Sequence, residues 1–204
     1  MNREEHWENV YRTRKPGEVS WYQAKATVSL QLIAESGISS GQSIIDVGGG
    51  ASVLADDLLA ADFRDITVLD ISGEALAASR QRLGEKSAVV QWLQSDILHA
   101  DLPEKRYDLW HDRAVFHFLT NEEDQAGYLR KMLHALRPMG QVVVATFAED
   151  GPTRCSGLDV QRYSPDELQF KWRDQLKLVK SACCIHITPA GKEQKFQYCL
   201  FRRA

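Results

Sequence analysis

The sequence predicts an α/β fold, a doubly wound sheet of seven strands that is mostly parallel and ends in a C-terminal antiparallel hairpin. Three observations predict it. Short apolar runs alternate with helix-forming segments from about residue 43 onward. The first of those runs, Ile44-Ile45-Asp46-Val47, leads into Gly48-Gly49-Gly50 and a small-residue helix start. The last quarter changes character, with two strands joined through Thr188-Pro189-Ala190-Gly191.

The elements follow in order. Trp7, Val10 and Tyr11 fall at helical spacing near the N-terminus. The first strand (43–48) runs to a helix from about Ser52 to Ala61, and Ile66-Thr67-Val68-Leu69-Asp70 is a second strand ending in an acid. Ser72 caps a helix through about Leu83, then Ala88 to Trp92 is a third strand and Tyr107 to Asp112 a fourth. Thr120-Asn121-Glu122-Glu123 reads as a capping box, followed by Tyr128, Leu129, Met132, Leu133 and Leu136 on one helical face. Arg137-Pro138-Met139-Gly140 stops that helix and delivers the fifth strand, Gln141 to Phe147. Ser164-Pro165 starts a short helix, and Leu178 to Ile187 and Lys195 to Phe201 form the hairpin.

Composition bounds the function. At 204 residues, with 44% hydrophobic and 26% charged residues, the chain reads as one globular domain. A net charge of -3 leaves no footprint for extended nucleic acid or for a membrane surface. No apolar run reaches the roughly 18 residues that span a bilayer, and the first residues lack a signal-peptide core, so the expected location is cytoplasmic. Cys155, Cys183, Cys184 and Cys199 have no zinc-type spacing and read as reduced, mainly buried thiols, with no metal expected. A thiolate nucleophile or a cation site from Cys155, Cys184 and His186 is the less supported alternative.

Ligands of open α/β sheets bind beyond the carboxyl ends of the strands at the switch point, where Gly48, Asp70, Asp96 and Asp112 should converge. The glycines allow positive φ and close backbone approach, and the free N–H groups of the following helix face the ligand.

With IIDVGGGAS after strand one, Leu69-Asp70-Ile71-Ser72 after strand two, Ser95-Asp96-Ile97 after strand three and YDLWHDRAVFHFL at strand four, the chain resembles the class I S-adenosylmethionine-dependent methyltransferases, a Rossmann-like family. The turn Leu136-Arg137-Pro138-Met139-Gly140-Gln141 is similar to theirs before strand five, with Met139 where glycine is commoner. The resemblance covers roughly residues 40 to 147, and a bacterial small-methyltransferase subgroup is similar in the segments around Trp7 to Gln23 and Gly151 to Leu158. It divides the domain into an N-terminal helical lid or cap (1–40), a cofactor-binding core (41–147) and a substrate loop with the terminal hairpin (148–204).

The resemblance implies S-adenosylmethionine as cofactor, S-adenosylhomocysteine as product and a small molecule or a single protein side chain as acceptor. It implies cofactor contacts from Asp46, Gly48, Gly49, Gly50 and Ser52 at the methionine end, from Asp70 and Ile71 at the ribose, and from Ser95, Asp96 and Ile97 at the adenine. His111, Asp112 and Arg113 end strand four, near the methyl group and the acceptor. His111 or Asp112 is placed to take a proton, the alternative being Asp112 and Arg113 paired at a strand end. Tyr11, Trp21 and Tyr22 form a lid facing the sulfonium, or pack on the core. Arg154 and Cys155, on the loop from Gly151 to Tyr163, are expected to meet the substrate, with Trp21 and Tyr22.

Two other classes compete. A nicotinamide-dependent oxidoreductase would use Gly48-Gly49-Gly50 as the start of GxGxxG, but position 53 is Val53. A non-catalytic S-adenosylmethionine-binding module would keep the fold without turnover. No Asn-Pro-Pro-Tyr motif follows strand four, where His111-Asp112-Arg113-Ala114 stands.

Overall fold

Strands β1 (Ile44–Val47), β2 (Ile66–Asp70), β3 (Val90–Gln94), β4 (Tyr107–Arg113) and β5 (Leu136–Phe147) pair in parallel, joined through helices except between β3 and β4, where residues 95–106 form a loop. The computed structural model describes residues 2–204. Beyond a two-strand ribbon of β6 (Arg154–Cys155) and β7 (Leu158–Asp159), the chain returns as β8 (Leu176–Ile187) and β9 (Glu193–Arg203). The seven-stranded order is β3-β2-β1-β4-β5-β9-β8, with β9 antiparallel to both neighbours. The expected sheet and its terminal hairpin are present, and the order reverses between β1 and β4.

Both faces are covered, which is why β1 is buried at every position. Ile44, Val68, Leu109 and Val143 pack toward α2 (Thr27–Glu35), α3 (Leu54–Ala60) and α4 (Gly73–Leu83). Ile45, Val47, Trp110 and Val144 pack toward α5 (Glu122–Ala135) and α6 (Pro165–Trp172). The remaining helix, α1 (Arg3–Thr13), carries an Asn2–Glu5 capping box and contacts α4 across the strand ends.

Several boundaries differ from the sequence reading for local reasons. The helix expected from Ser52 begins at Leu54, because the Ser52 Oγ accepts from the Leu54 N–H and holds the preceding turn. The third strand is shifted two residues, since Gly84–Val89 forms a 3-10 turn that leaves Val89 exposed. Asn121, not Thr120, caps α5, accepting from the Asp124 N–H. The fifth strand starts at Leu136, and Arg137 to Gly140 bulges out between the Tyr107–Leu136 and Leu109–Gln141 pairs.

The four cysteines are free thiols, of which Cys155 and Cys199 are buried, Cys184 half-buried and Cys183 exposed. Among the described residues no group of three His, Cys, Asp or Glu side chains gathers to hold a metal. Cys155, Cys184 and His186 therefore do not make a cation site, and the His186 Nε2 is taken by the Ser20 carbonyl at 2.7 Å. No described helix is long and apolar enough to cross a membrane.

Candidate functional site

The ends of β1 to β4 open into a cavity whose walls include Gly48, Asp70, Ile71, Ser95, Asp96 and Ile97. A second cavity adjoins it, sharing Tyr11, Trp21, Gly48 and Arg113, and adds Tyr22, Asp46, Gly49, Ser52 and His111. Apart from Gly50, which lines neither, the sequence-predicted cofactor residues each line one or other of these two cavities.

Backbone geometry explains the glycines at two of these positions. Gly48 has φ of 68°, and a Cβ there would collide with the Val115 side chain. A Cβ at Gly50 would collide with the Asp70 carboxylate, so the absence of a side chain lets that acid lie against the turn.

Asp70 ends β2 and is 6% exposed. Its Oδ1 accepts from the Ser72 N–H at 2.9 Å, and burial, with Asp46 and Glu8 nearby, pushes its carboxyl up to about 7. Asp96 accepts from the Leu98 N–H at 2.9 Å and stands 3.8 Å from Arg3.

The roof is aromatic and comes from the N-terminal segment. Trp7, Tyr11 and Trp21 line the larger cavity, with Trp7 edge-on to Trp21 at 5.6 Å and to Phe118 at 5.1 Å. The Trp21 indole N–H donates to the Tyr11 hydroxyl at 3.1 Å, and burial raises the Tyr11 phenol above its usual range. Sequence reasoning missed the latch that holds this roof. Glu8 of α1 accepts from the Gly73 N–H at 2.7 Å, the Glu74 N–H at 3.2 Å and the Ser72 hydroxyl at 3.1 Å, capping α4 from another helix. A lone glutamate on the polar side of a helix carries no signal of that partner.

The three strand-four residues separate. His111 is cross-strand neighbour to Asp46 and is fixed between it, at 2.7 Å, and the Ser29 hydroxyl, at 2.8 Å. Asp112, on the opposite face, lines neither cavity. Its carboxylate is committed to the Val115 N–H at 2.9 Å, the Phe116 N–H at 3.0 Å and the Tyr128 hydroxyl at 2.6 Å, and burial pushes it up to about 6. That placement corrects the expectation of a proton-transferring Asp112, because a side chain alternates faces along a strand. Nor is Asp112 paired with Arg113, which lines both cavities and donates to the Tyr198 hydroxyl and the Trp21 carbonyl.

The substrate loop divides likewise. Cys155 is buried on the wall of the larger cavity, whereas Arg154 is exposed, paired with Asp159 at 3.0 Å and outside both cavities. The β6–β7 ribbon pairs residues 155 and 158, so adjacent residues 154 and 155 point to opposite sides.

A family described as a methyltransferase domain matches residues 44–140. The Ubiquinone/menaquinone biosynthesis C-methyltransferase UbiE of Ectopseudomonas mendocina is 28% identical over 120 residues, 57% of this chain and 46% of that protein. The chain thus spans about half the length of the curated relatives it matches. A solved structure from work on the conversion of a disulfide bond into a thioacetal group during echinomycin biosynthesis superposes with TM-score 0.80 at 17% identity, covering 99% of this chain and 93% of that one. The 1,6-didemethyltoxoflavin-N1-methyltransferase of Burkholderia thailandensis, bound to 1,6-didemethyltoxoflavin and S-adenosylhomocysteine, does so with TM-score 0.70 at 20% identity, covering 98% and 83%. The matched segment contains the glycine turn and favours the methyl-donor reading of Gly48-Gly49-Gly50 over the nicotinamide-dependent one. With that segment, the β3-β2-β1-β4-β5-β9-β8 order and acids at successive strand ends, the chain is similar to the class I S-adenosylmethionine-dependent methyltransferases.

Proposed function

We propose that the chain transfers a methyl group from S-adenosylmethionine to a small-molecule acceptor, by in-line displacement inside the strand-end cleft. The observation that carries this reading is the convergence of Gly48, Asp70, Asp96 and Ile97, from the ends of three different strands, on one cavity roofed by Trp7, Tyr11 and Trp21. When bound, the cofactor supplies a methyl group activated by a sulfonium centre and is released as S-adenosylhomocysteine.

The chain's residues suit that group. Asp70, with Ile71 beside it, would accept from the ribose hydroxyls, and Asp96 would accept from the adenine amino group with Ile97 and Ser95 beside the ring. Asp46 Oδ2 is buried without a hydrogen-bond partner among the described residues, and it lies against Gly49, where an ammonium would satisfy it. Gly48, Gly49 and Ser52 surround the same end. The aromatic roof is electrostatically suited to a cation.

A small acceptor is favoured because aromatic side chains of the N-terminal segment roof the cleft, and the toxoflavin-type neighbour holds a small molecule. Positioning and exclusion of water supply the rate, and His111, with both ring nitrogens already bonded, orients Asp46 rather than taking a proton. Calorimetric titration with S-adenosylhomocysteine and with NAD tests the reading. Binding of the former is expected, and selective binding of NAD overturns it.

A further inference from the structure

Arg113 is a cation without a counter-charge. Its Nε donates to the Tyr198 hydroxyl at 2.9 Å, its Nη1 to the Trp21 carbonyl at 3.0 Å, and its guanidinium carbon lies 4.3 Å from the centre of the Phe196 ring. Nη2 is buried with no partner. None of the ion pairs among the described residues includes Arg113. The thiol of Cys155 and the phenol of Tyr198 beside it supply no counter-charge, since burial pushes the thiol up to about 11 and raises the phenol. A guanidinium has five N–H donors in a planar fork matched to carboxylates, and leaving one half-buried and uncompensated is costly.

Position separates this charge from the ribose and adenine ends. Asp70 and Asp96 follow β2 and β3, whereas Arg113 ends β4 and leans across β5 onto Tyr198 and Phe196 of β9. It is part of both cavities, beside the aromatic roof and Cys155.

We propose that Arg113 is the receptor for a carboxylate on the methyl acceptor, so that the acceptors are small organic acids with an apolar or aromatic body. This rests on the methyltransferase reading above. The acid replaces the Trp21 carbonyl on the guanidinium as the N-terminal segment shifts, and the aromatic walls take the rest of the molecule. Recognition is by charge and fork geometry, so lysine is an incomplete substitute.

The test is calorimetric, on the wild-type chain and on Arg113→Met and Arg113→Lys, each checked for folding by circular dichroism. Benzoate and phenylacetate are titrated against benzamide and phenylacetamide, with and without saturating S-adenosylhomocysteine. The acids are expected to bind the wild type at least about tenfold more tightly than the amides, with the preference lost in Arg113→Met and partly kept in Arg113→Lys. Equal binding of acids and amides by the wild type overturns the proposal without recourse to any variant. So does an Arg113→Met or Arg113→Lys variant that loses S-adenosylhomocysteine but keeps methylthioadenosine, since the guanidinium would then hold the methionine carboxylate. An acid preference dependent on Arg113, in a chain that binds no S-adenosylhomocysteine, would sink the methyl-donor reading and leave the receptor standing.

Discussion

His111 Nδ1 lies 2.7 Å from Asp46 Oδ1, two buried side chains that are cross-strand neighbours, and its Nε2 lies 2.8 Å from the Ser29 hydroxyl. Both ring nitrogens are thus engaged, one by the strand-one carboxylate and the other by a hydroxyl of α2. The imidazole therefore ties helix α2 to the ends of β1 and β4 and aims the free Asp46 oxygen at the glycine turn. His111→Gln is expected to lower stability by about 1–3 kcal/mol and to weaken the cofactor, while the pH–rate profile keeps its shape. Loss of one limb of that profile would show that His111 is a base after all.

Asp70 gives the site a pH dependence with a definite sign. Burial is the main cause of its rise to about 7, with Asp46 and Glu8 adding to it. In the unfolded chain the group ionises near the ordinary value of about 4, so its protonated form favours the folded state. That contribution is complete below the unfolded value and is lost as pH rises toward about 7. Cofactor binding runs the other way, because the ribose hydroxyls need an ionised acceptor. The dissociation constant of S-adenosylhomocysteine should fall up to about tenfold per pH unit below the folded value and level off above it. Asp70→Asn should flatten the curve and weaken binding about 10- to 100-fold at alkaline pH, as equilibrium titration across the range will show.

Glu8 is the latch of the roof, with three hydrogen bonds to the start of α4. Glu8→Ala removes the cap and frees α1 to lift, so release of S-adenosylhomocysteine in stopped-flow should quicken by about tenfold, with a smaller change in the association rate. Tyr11→Ala removes part of the roof itself and should weaken binding at least several-fold. Unchanged calorimetric affinity in Tyr11→Ala would reject the lid.

How much of this was legible in the sequence depends on the range of the interaction. Asp70, Gly48 and Ile97 were readable because strand ends and a glycine turn are local patterns, and the parallel sheet brings local patterns together at one edge. The separate fates of His111 and Asp112 follow from strand alternation, but which face each takes is set by Ser29 and Tyr128, 82 and 16 residues away in sequence. Glu8 was beyond local reading for the same reason, since its meaning lies in Gly73, whereas Arg113 was readable as a strand-four end and only its contacts with Tyr198 and Phe196 were not. Arg154 misled because one residue separates the cavity face of the ribbon from its outer face.

Asp112 caps the turn after β4, with two backbone N–H groups and the Tyr128 hydroxyl on its carboxylate, and Tyr128 also accepts from the Trp110 indole at 2.8 Å. Asp112→Asn puts an amide donor where only acceptors fit. The cost should be about 1–3 kcal/mol in chemical denaturation. Because Asp112 touches neither cavity, the affinity for S-adenosylhomocysteine of the folded fraction should change less than about twofold, and a larger loss would return the residue to the site.

Met139 stands at φ of 63°, in the left-handed region, on the bulge that delivers β5, and its side chain is 59% exposed. The backbone strain of a non-glycine residue there is about 1–2 kcal/mol, and an exposed methionine contributes little packing to offset it. Glycine relieves the strain but adds freedom to the unfolded chain, which returns about 0.5–1 kcal/mol of the gain. Met139→Gly should therefore raise stability by about 0.5–1 kcal/mol in denaturant melts, without altering ligand affinity. The neighbouring Gly140 makes the contrast, since a Cβ there would meet the Leu136 side chain at 2.6 Å and the Arg137 carbonyl at 2.8 Å. Gly140→Ala should destabilise by more than Met139→Gly stabilises, and equal tolerance of both changes would show that the bulge is not held in the conformation that φ implies.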